Sequence, residues 1–473
     1  MMLEDGQQIV KTRDDHAPVL IHRHQHDEPS DLHKPFQIAA GSPCSWAKAD
    51  ESFGPEKLRS RIEPWLTALV QSEHLALLVG SGLTHAVHYL ATEETGPGMA
   101  LVPFDVRGEE ITIDARRSAQ AARRGDGNIE DQIRAANELL RGLEIIAATK
   151  SPNASEHQEV VALKEAIKKV LAEFTAAILK AEQNLALAPD DKREQAFNYL
   201  VSFLMSFASR SGTRERLQLF TTNYDRYIEA CADVAGLRLI DRFVGTLAPV
   251  FRASRLDVDL HYNPPGIRGE PRYLEGVARY TKLHGSVDWV DCDRVIRRIG
   301  IPFGATDIAP FLSVPGLEGA DALQLMIYPN AAKDRETASH PYVELFRDYA
   351  AAICRPNSTL VTYGYSFGDD HINRVIEDML TIPSAHLVVI AYGDPLGRIM
   401  RTYERLGRHA QTTLLIGDHL GDLRTLVDHY LPKPAIDRTT FRMAELLKAR
   451  WGAGQVGNDG ADTASPNDEG AEP

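Results

Sequence analysis

Cysteine is scarce in this chain: four residues of 473, at Cys44, Cys231, Cys292 and Cys354, with no CxxC pair among them. That spacing excludes a zinc ribbon and a dense disulfide framework. It fits a reducing cytoplasm in which the thiols serve as small apolar fillers. No apolar run approaches the roughly 18–20 residues that cross a bilayer, and Met1–Asp15 is polar and acidic, without a signal-peptide core. Positive charge is short as well. The formal net charge of −14 argues against nonspecific nucleic-acid binding over most of the surface. There is no Gly-x-x-x-x-Gly-Lys-Ser/Thr loop, no zinc finger, no basic nucleic-acid-binding domain and no compact Asp/Glu cluster. A P-loop ATPase, a nucleic-acid sensor and a metal-dependent nuclease are set aside on those grounds, and no metal is expected.

What remains has the composition of a soluble globular protein, 43% hydrophobic and 25% charged. Apolar runs of β type recur at Leu75–Val79, Leu217–Phe220, Arg279–Leu283, Thr359–Tyr363, His386–Tyr392 and Thr412–Ile416. Between them, apolar residues at i, i+3 and i+4 mark helices over Pro64–Gln71, Thr84–Leu90, Ile129–Ala148, His157–Leu185, Gln195–Ala208, Arg226–Val234, His340–Cys354, Asp369–Leu380 and Arg398–Leu406. Alternation of this kind specifies an α/β fold: a doubly wound, mainly parallel, Rossmann-like sheet with an inserted helical subdomain at about 129–210. The expected division is an irregular N-terminal segment, 1–53, a catalytic-type domain, 54–451, and a disordered acidic tail, 452–473. The N-terminal segment holds His16, His22, His24, His26 and His33; a solvated tail is the expectation, with metal binding as the alternative.

Four short polar segments follow the β-type runs, where an open α/β sheet gathers its ligands. Gly80-Ser81-Gly82 stands at a strand-to-helix turn that lets a pyrophosphate approach the backbone at a helix N-terminus, although position 85, where GxGxxG has its third glycine, is His85. In Thr221-Thr222-Asn223-Tyr224-Asp225, the Asn223 amide can hold a ribose hydroxyl or a water, and Asn223 and Asp225 can equally cap the next helix. Lys282-Leu283-His284-Gly285-Ser286 puts a histidine at a strand end, as a general base or as a structural residue. In Tyr363-Gly364-Tyr365-Ser366-Phe367-Gly368-Asp369, Ser366 either holds a ribose or phosphate oxygen or satisfies its own turn.

The order of these segments over roughly Glu73–Gly417 resembles the sirtuin (silent information regulator) superfamily. It is most similar to its bacterial antiphage-defence branch, with Thr-x-Asn-Tyr-Asp, Leu-His-Gly-Ser and Gly-Tyr-Ser-Phe-Gly-Asp segments. Asn128-Ile129-Glu130-Asp131 also looks like a helix-leading segment of that branch. The four-cysteine zinc module of the deacetylases and their Gly-Ile-Pro-Asp-Phe-Arg segment have no counterpart, Phe104-Asp105 being a faint echo of the latter. The resemblance therefore implies an NAD pocket rather than an acyl-lysine cleft. It implies Asn223 and His284 as catalytic residues, and Gly80, Ser81, Gly82, Thr222, Asp225, Gly364 and Ser366 as contacts to NAD, the substrate. The activity implied is NAD+ hydrolysis to nicotinamide and ADP-ribose in antiphage defence. ADP-ribosyl transfer, protein deacylation and noncatalytic NAD binding by a regulatory subunit are the alternatives. The resemblance further implies a homo-oligomer, or a separate sensor partner such as a HerA-type ATPase or an Argonaute-like protein, with no membrane or direct nucleic-acid contact.

Overall fold

The computed structural model describes residues 6–433 apart from 24–34, 49, 123, 211–213, 253–257, 263–271, 275, 293–294, 318–319 and 321–340. The acidic tail at 452–473 and His24, His26 and His33 lie outside the described residues.

The core of the sheet is built from strands buried along nearly their whole length. These are β5 (His74–Val79), β6 (Leu217–Thr221), β12 (Val277–Lys282), β15 (Ser358–Tyr363), β16 (His386–Ala391) and β17 (Thr412–Ile416). With the short edge strand β7 (Arg238–Ile240) they run in the order β17-β16-β15-β5-β6-β12-β7, and every neighbouring pair is parallel. Strands formed after β5 pair to one side of it, and the last three to the other. The switch point of the sheet therefore lies between β5 and β15, where an open α/β sheet opens a crevice at its carboxyl edge.

Alternate side chains of β5 go to opposite faces, as strand geometry requires. Leu75, Leu77 and Val79 join a core with the helices α1 (Pro55–Val70), α2 (Ser81–Thr92), α6 (Asp190–Ala208) and α7 (Tyr227–Ala235). Ala76 and Leu78 join a second core with α8 (Tyr342–Ile353), α9 (Asp370–Met379) and α10 (Arg398–Leu406). The protein is thus a mixed α/β structure with a large, largely parallel sheet covered on both faces. A third core belongs to the inserted helices α3 (Gly108–Ala121), α4 (Ile129–Ala147) and α5 (Ser155–Ala186), and it reaches the sheet through Tyr224 and Val287. Helix α3 was not expected from the sequence, although Ile111, Ala115 and Ala119 form its buried stripe.

The N-terminal segment corrects the expectation of irregular chain. It contributes β1 (Gln7–Lys11), β2 (Val19–Arg23), β3 (Phe36–Ile38) and β4 (Ser52–Phe53), an antiparallel extension added beside β17. Its short apolar clusters decide this: Ile9, Val10, Val19, Ile21 and Phe36 are fully buried. They cover the edge of β17, which would otherwise expose its unpaired backbone. Beyond β7, β8 (Phe243–Val244) and β9 (Val250–Phe251) join β13 (Trp289–Cys292) and β14 (Val295–Arg298) in a small antiparallel sheet. A two-stranded ribbon pairs β10 (His261–Tyr262) with β11 (Arg272–Tyr273).

Candidate active site

Two turns meet at the switch point. Gly364 follows β15 with φ +62°, the left-handed region that glycine enters without strain, and it lies backbone to backbone against Gly80 and Gly82. A Cβ on Gly80 would fall 2.6 Å from the Gly364 carbonyl oxygen, and one on Gly82 would fall 2.5 Å from Gly364 Cα. The Gly80 N–H donates to the Tyr363 carbonyl (3.0 Å) and the Gly82 N–H to the Gly364 carbonyl (3.1 Å). This revises the role expected of the glycines. They let the two turns close on each other, and their amides are committed there rather than offered to a pyrophosphate. Gly82 is off the cleft wall altogether, whereas Ser81, the first residue of α2, is exposed on it and its side chain makes no hydrogen bond to a described residue.

Asn223 sits two residues beyond the end of β6, and it is only 9% exposed. Its Nδ2 donates to the Gly80 carbonyl (2.9 Å) and to Thr84 Oγ1 (2.8 Å). Thr84 in turn donates to Asp225 Oδ2 (2.5 Å), while Asp225 Oδ1 accepts from the Tyr227 N–H (3.1 Å) at the start of α7. Asp225, one residue before the N-cap Arg226, therefore holds the first N–H of α7 and anchors Thr84 at once. With both donors of Asn223 engaged and no donor to Oδ1 among the described residues, the amide presents an acceptor to the cleft.

Buried Lys282 at the end of β12 binds this loop from below. Its Nζ donates to the Tyr224 carbonyl (3.3 Å) and to Glu229 Oε1 (3.1 Å). The Val287 N–H (3.1 Å) and Ser286 Oγ (3.3 Å) reach the same Tyr224 carbonyl. Gly285, at φ +84°, turns the chain so that His284 enters the cleft wall, 2% exposed. The loops carrying Asn223 and His284 are thus held to one another by hydrogen bonds.

The cleft holds about 250 Å³, near the small end of ligand pockets. Gly80, Ser81, Thr222, Asn223, Asp225, His284, Gly364 and Ser366 line it together; of the residues expected at the site, only Gly82 is missing from its wall. The inserted helices close the far side with Phe174 and Ile178 of α5 and Glu130 of α4. The Tyr224 hydroxyl donates to Glu130 Oε1 (3.0 Å), which ties the insert to the Asn223 loop. Asn128 and Asp131 form a capping box around Glu130, with reciprocal bonds of 3.0 and 3.2 Å. Glu182 of α5, fully buried, clamps Arg226 beyond the same loop through contacts of 2.5 to 3.3 Å.

Sequence reading passed over several residues found here. His371, in the first turn of α9, brings its Nε2 to 3.3 Å from His284 Nε2, so the two imidazoles share a hydrogen bond. The only hint was its place two residues after Asp369, a residue that starts α9 without a side-chain cap. His85 also lines the cleft; burial lowers its pKa, against the pull of Asp225. Arg398, at the start of α10, lines it from the β16 side.

Residues 218–411 match the family model described as the SIR2-like domain. This stretch of the chain is thus similar to a SIR2-like domain. The match runs from within β6 to the residue before β17 and includes Thr222, Asn223, Asp225, His284, Gly364 and Ser366, while the Gly80 turn and the inserted helices precede it. A SIR2-like domain implies NAD-dependent chemistry in general. No curated protein matches the chain. Among the described residues no group of His, Cys, Asp and Glu is arranged to hold a metal ion, and no helix is long and apolar enough to cross a membrane.

Proposed function

We propose that this protein is an NAD+ glycohydrolase, releasing nicotinamide and ADP-ribose, and that it depletes NAD in antiphage defence. The observation that carries the reading is the placement of the Asn223 acceptor and the His284 ring in one cleft at the switch point of a SIR2-like sheet. Nicotinamide leaves as a neutral base when the N-glycosidic bond breaks, and positive charge builds on the ribose. An uncharged amide acceptor such as Asn223 Oδ1 holds a ribose hydroxyl or the water without the cost of a second cation. His284, supported by His371, takes the proton that the water loses as it adds to the anomeric carbon. Ser81 at the N-terminus of α2 faces the pyrophosphate, where the helix dipole favours anions. Ser366 takes the adenosine side. The wall of Phe174 and Ile178 limits access of bulk water.

Transfer of ADP-ribose to an acceptor, or deacylation, is the second reading, and the sirtuin-family match itself favours it. Nicotinamide release from NAD+ by the full chain separates the two. Hydrolysis proceeds with water alone and is lost in His284→Ala. Release that appears only when an acylated or acceptor peptide is added, and is matched mole for mole by its modification, would replace hydrolysis with transfer.

A further inference from the structure

Past Gly368 the cleft opens into a wider groove of about 700 Å³ between α9 and α10. Five arginines line it, Arg124, Arg374, Arg398, Arg401 and Arg405, against the acids Asp370, Glu377 and Glu404. Such a wall is unexpected on a chain of net charge −14. Arg124 is held by Asp131 and Arg405 by Glu377. The side chains of Arg398 and Arg401 make no hydrogen bond or ion pair with a described residue. Arg398 belongs to both spaces, and it is half-buried. Burial pushes its guanidinium below the ordinary range, Asp369 and Asp394 oppose that, and Arg124 adds to it. A half-buried cation with no counter-ion in contact is costly, and an anionic ligand relieves the cost.

The strand order gives this cation a place along a dinucleotide. His284, Asn223, Gly80 and Gly364 follow the neighbouring strands β12, β6, β5 and β15, and Arg398 comes after β16. Four inter-strand steps of roughly 4.8 Å separate the ends by about 19 Å. With nicotinamide at the β12 end and the pyrophosphate at Ser81, the adenosine ribose falls between Ser366 and Arg398. Gly368 keeps that space clear: a Cβ there would lie 3.2 Å from Arg398 Nη1 and 3.5 Å from Ser366 Oγ. A carboxylate at the end of such a strand ordinarily selects the free ribose 2′-hydroxyl. Here Asp394 is buried and accepts instead from the Ile399 and Met400 N–H groups (3.1 and 3.0 Å), so it caps α10.

We propose that Arg398, backed by Arg401, is a subsite for a ribose 2′-phosphate, so that the protein takes NADP+ as well as NAD+. The inference rests on the dinucleotide reading of the cleft. Calorimetric titration of the full chain with adenosine 2′,5′-bisphosphate and with 5′-AMP tests it without relying on turnover. The bisphosphate should bind roughly 10–100-fold tighter than 5′-AMP, the range of a charge-assisted contact. Arg398→Ala should bring that ratio near one, Arg398→Lys should restore part of it, and Gly368→Ala should lower it by crowding. A ratio near one in the unaltered protein, or equal weakening of both ligands by Arg398→Ala, overturns the subsite and leaves the cleft reading standing. Binding of neither ligand overturns the cleft reading with it. Competition of inorganic phosphate with the bisphosphate but not with 5′-AMP supports a phosphate site separate from the 5′ position.

Discussion

Removing the Asn223 side chain separates structural from chemical roles at the site, because the two ends of its amide do different work. Nδ2 bonds the Gly80 carbonyl at 2.9 Å and Thr84 at 2.8 Å, which pins the β6 loop to the start of α2. Each neutral bond is worth about 1 kcal/mol, and the Gly80 carbonyl keeps the Leu83 N–H (3.1 Å) when the amide is removed, so it is not orphaned. Asn223→Ala should therefore lose about 1–3 kcal/mol of stability, a loss that a domain holding about 5–15 kcal/mol survives. Oδ1 is the acceptor in the cleft, and losing one positioned polar group at a reacting centre typically costs about 10²–10³-fold in rate. Thr84→Ala is the control. It removes one anchor of the loop and leaves Oδ1 in place, so turnover should fall far less. Asn223→Asp keeps an oxygen in the cleft but sets a second one against the Gly80 carbonyl, and it should be less stable than Asn223→Ala. Urea unfolding by circular dichroism gives the stability of each variant, and nicotinamide release at equal folded fraction gives the rate. If Asn223→Ala then loses no more turnover than Thr84→Ala, Asn223 is a loop clamp and the proposed chemistry at Oδ1 is wrong.

Three other outcomes follow from the packing. Glu182→Leu leaves Arg226 buried without its partner and should cost about 3–5 kcal/mol in urea unfolding, while the Glu182→Leu, Arg226→Met double variant should recover much of the loss; a single variant as stable as the parent would refute the clamp between α5 and the Asn223 loop. Gly364→Ala combines a left-handed φ of +62° with a Cβ 2.6 Å from Gly82 Cα; about 1–2 kcal/mol for the backbone and about 1–3 kcal/mol for the overlap should appear as a lowered Tm, and an unchanged Tm would show that the turns separate freely. His386 and His419 are pushed down to about 4 by burial, so the folded protein keeps both neutral while the unfolded chain binds protons from about pH 6.5 downward. Their contribution is complete above pH 6.5 and is lost as the pH falls toward 4, and denaturation midpoints measured across that window should drop, less steeply in a His386→Gln variant.

Patterns local to the chain settled the strands of the sheet core and the residue types at their ends. Continuous apolar runs such as Thr359–Tyr363 and His386–Tyr392 have no polar face to expose, so they read directly as strands buried on both sides. Arg398–Leu406 has the bounds its periodicity implies, and Gly236 ends α7 at φ +68° as a C′ glycine should. Where the reading failed, the deciding contact was distant. The short clusters Ile9–Val10 and Val19–Ile21 carry too little periodicity to specify strands, and become strands because β17 offers β1 an open edge more than 400 residues away and β1 in turn pairs with β2. Pro64 looked like a helix start, whereas Pro55 holds that position and Pro64 lies inside α1. At the site, the motifs already placed Asn223, His284 and Ser366 at strand ends, because chemistry in a parallel sheet collects there. Only the tertiary structure decided that Gly80, Gly82 and Gly364 serve each other, that His371 meets His284, and that Arg398 enters the cleft while Asp394 turns away. These are pairings between elements remote in sequence, fixed by how the strands are ordered, and no local pattern encodes that order.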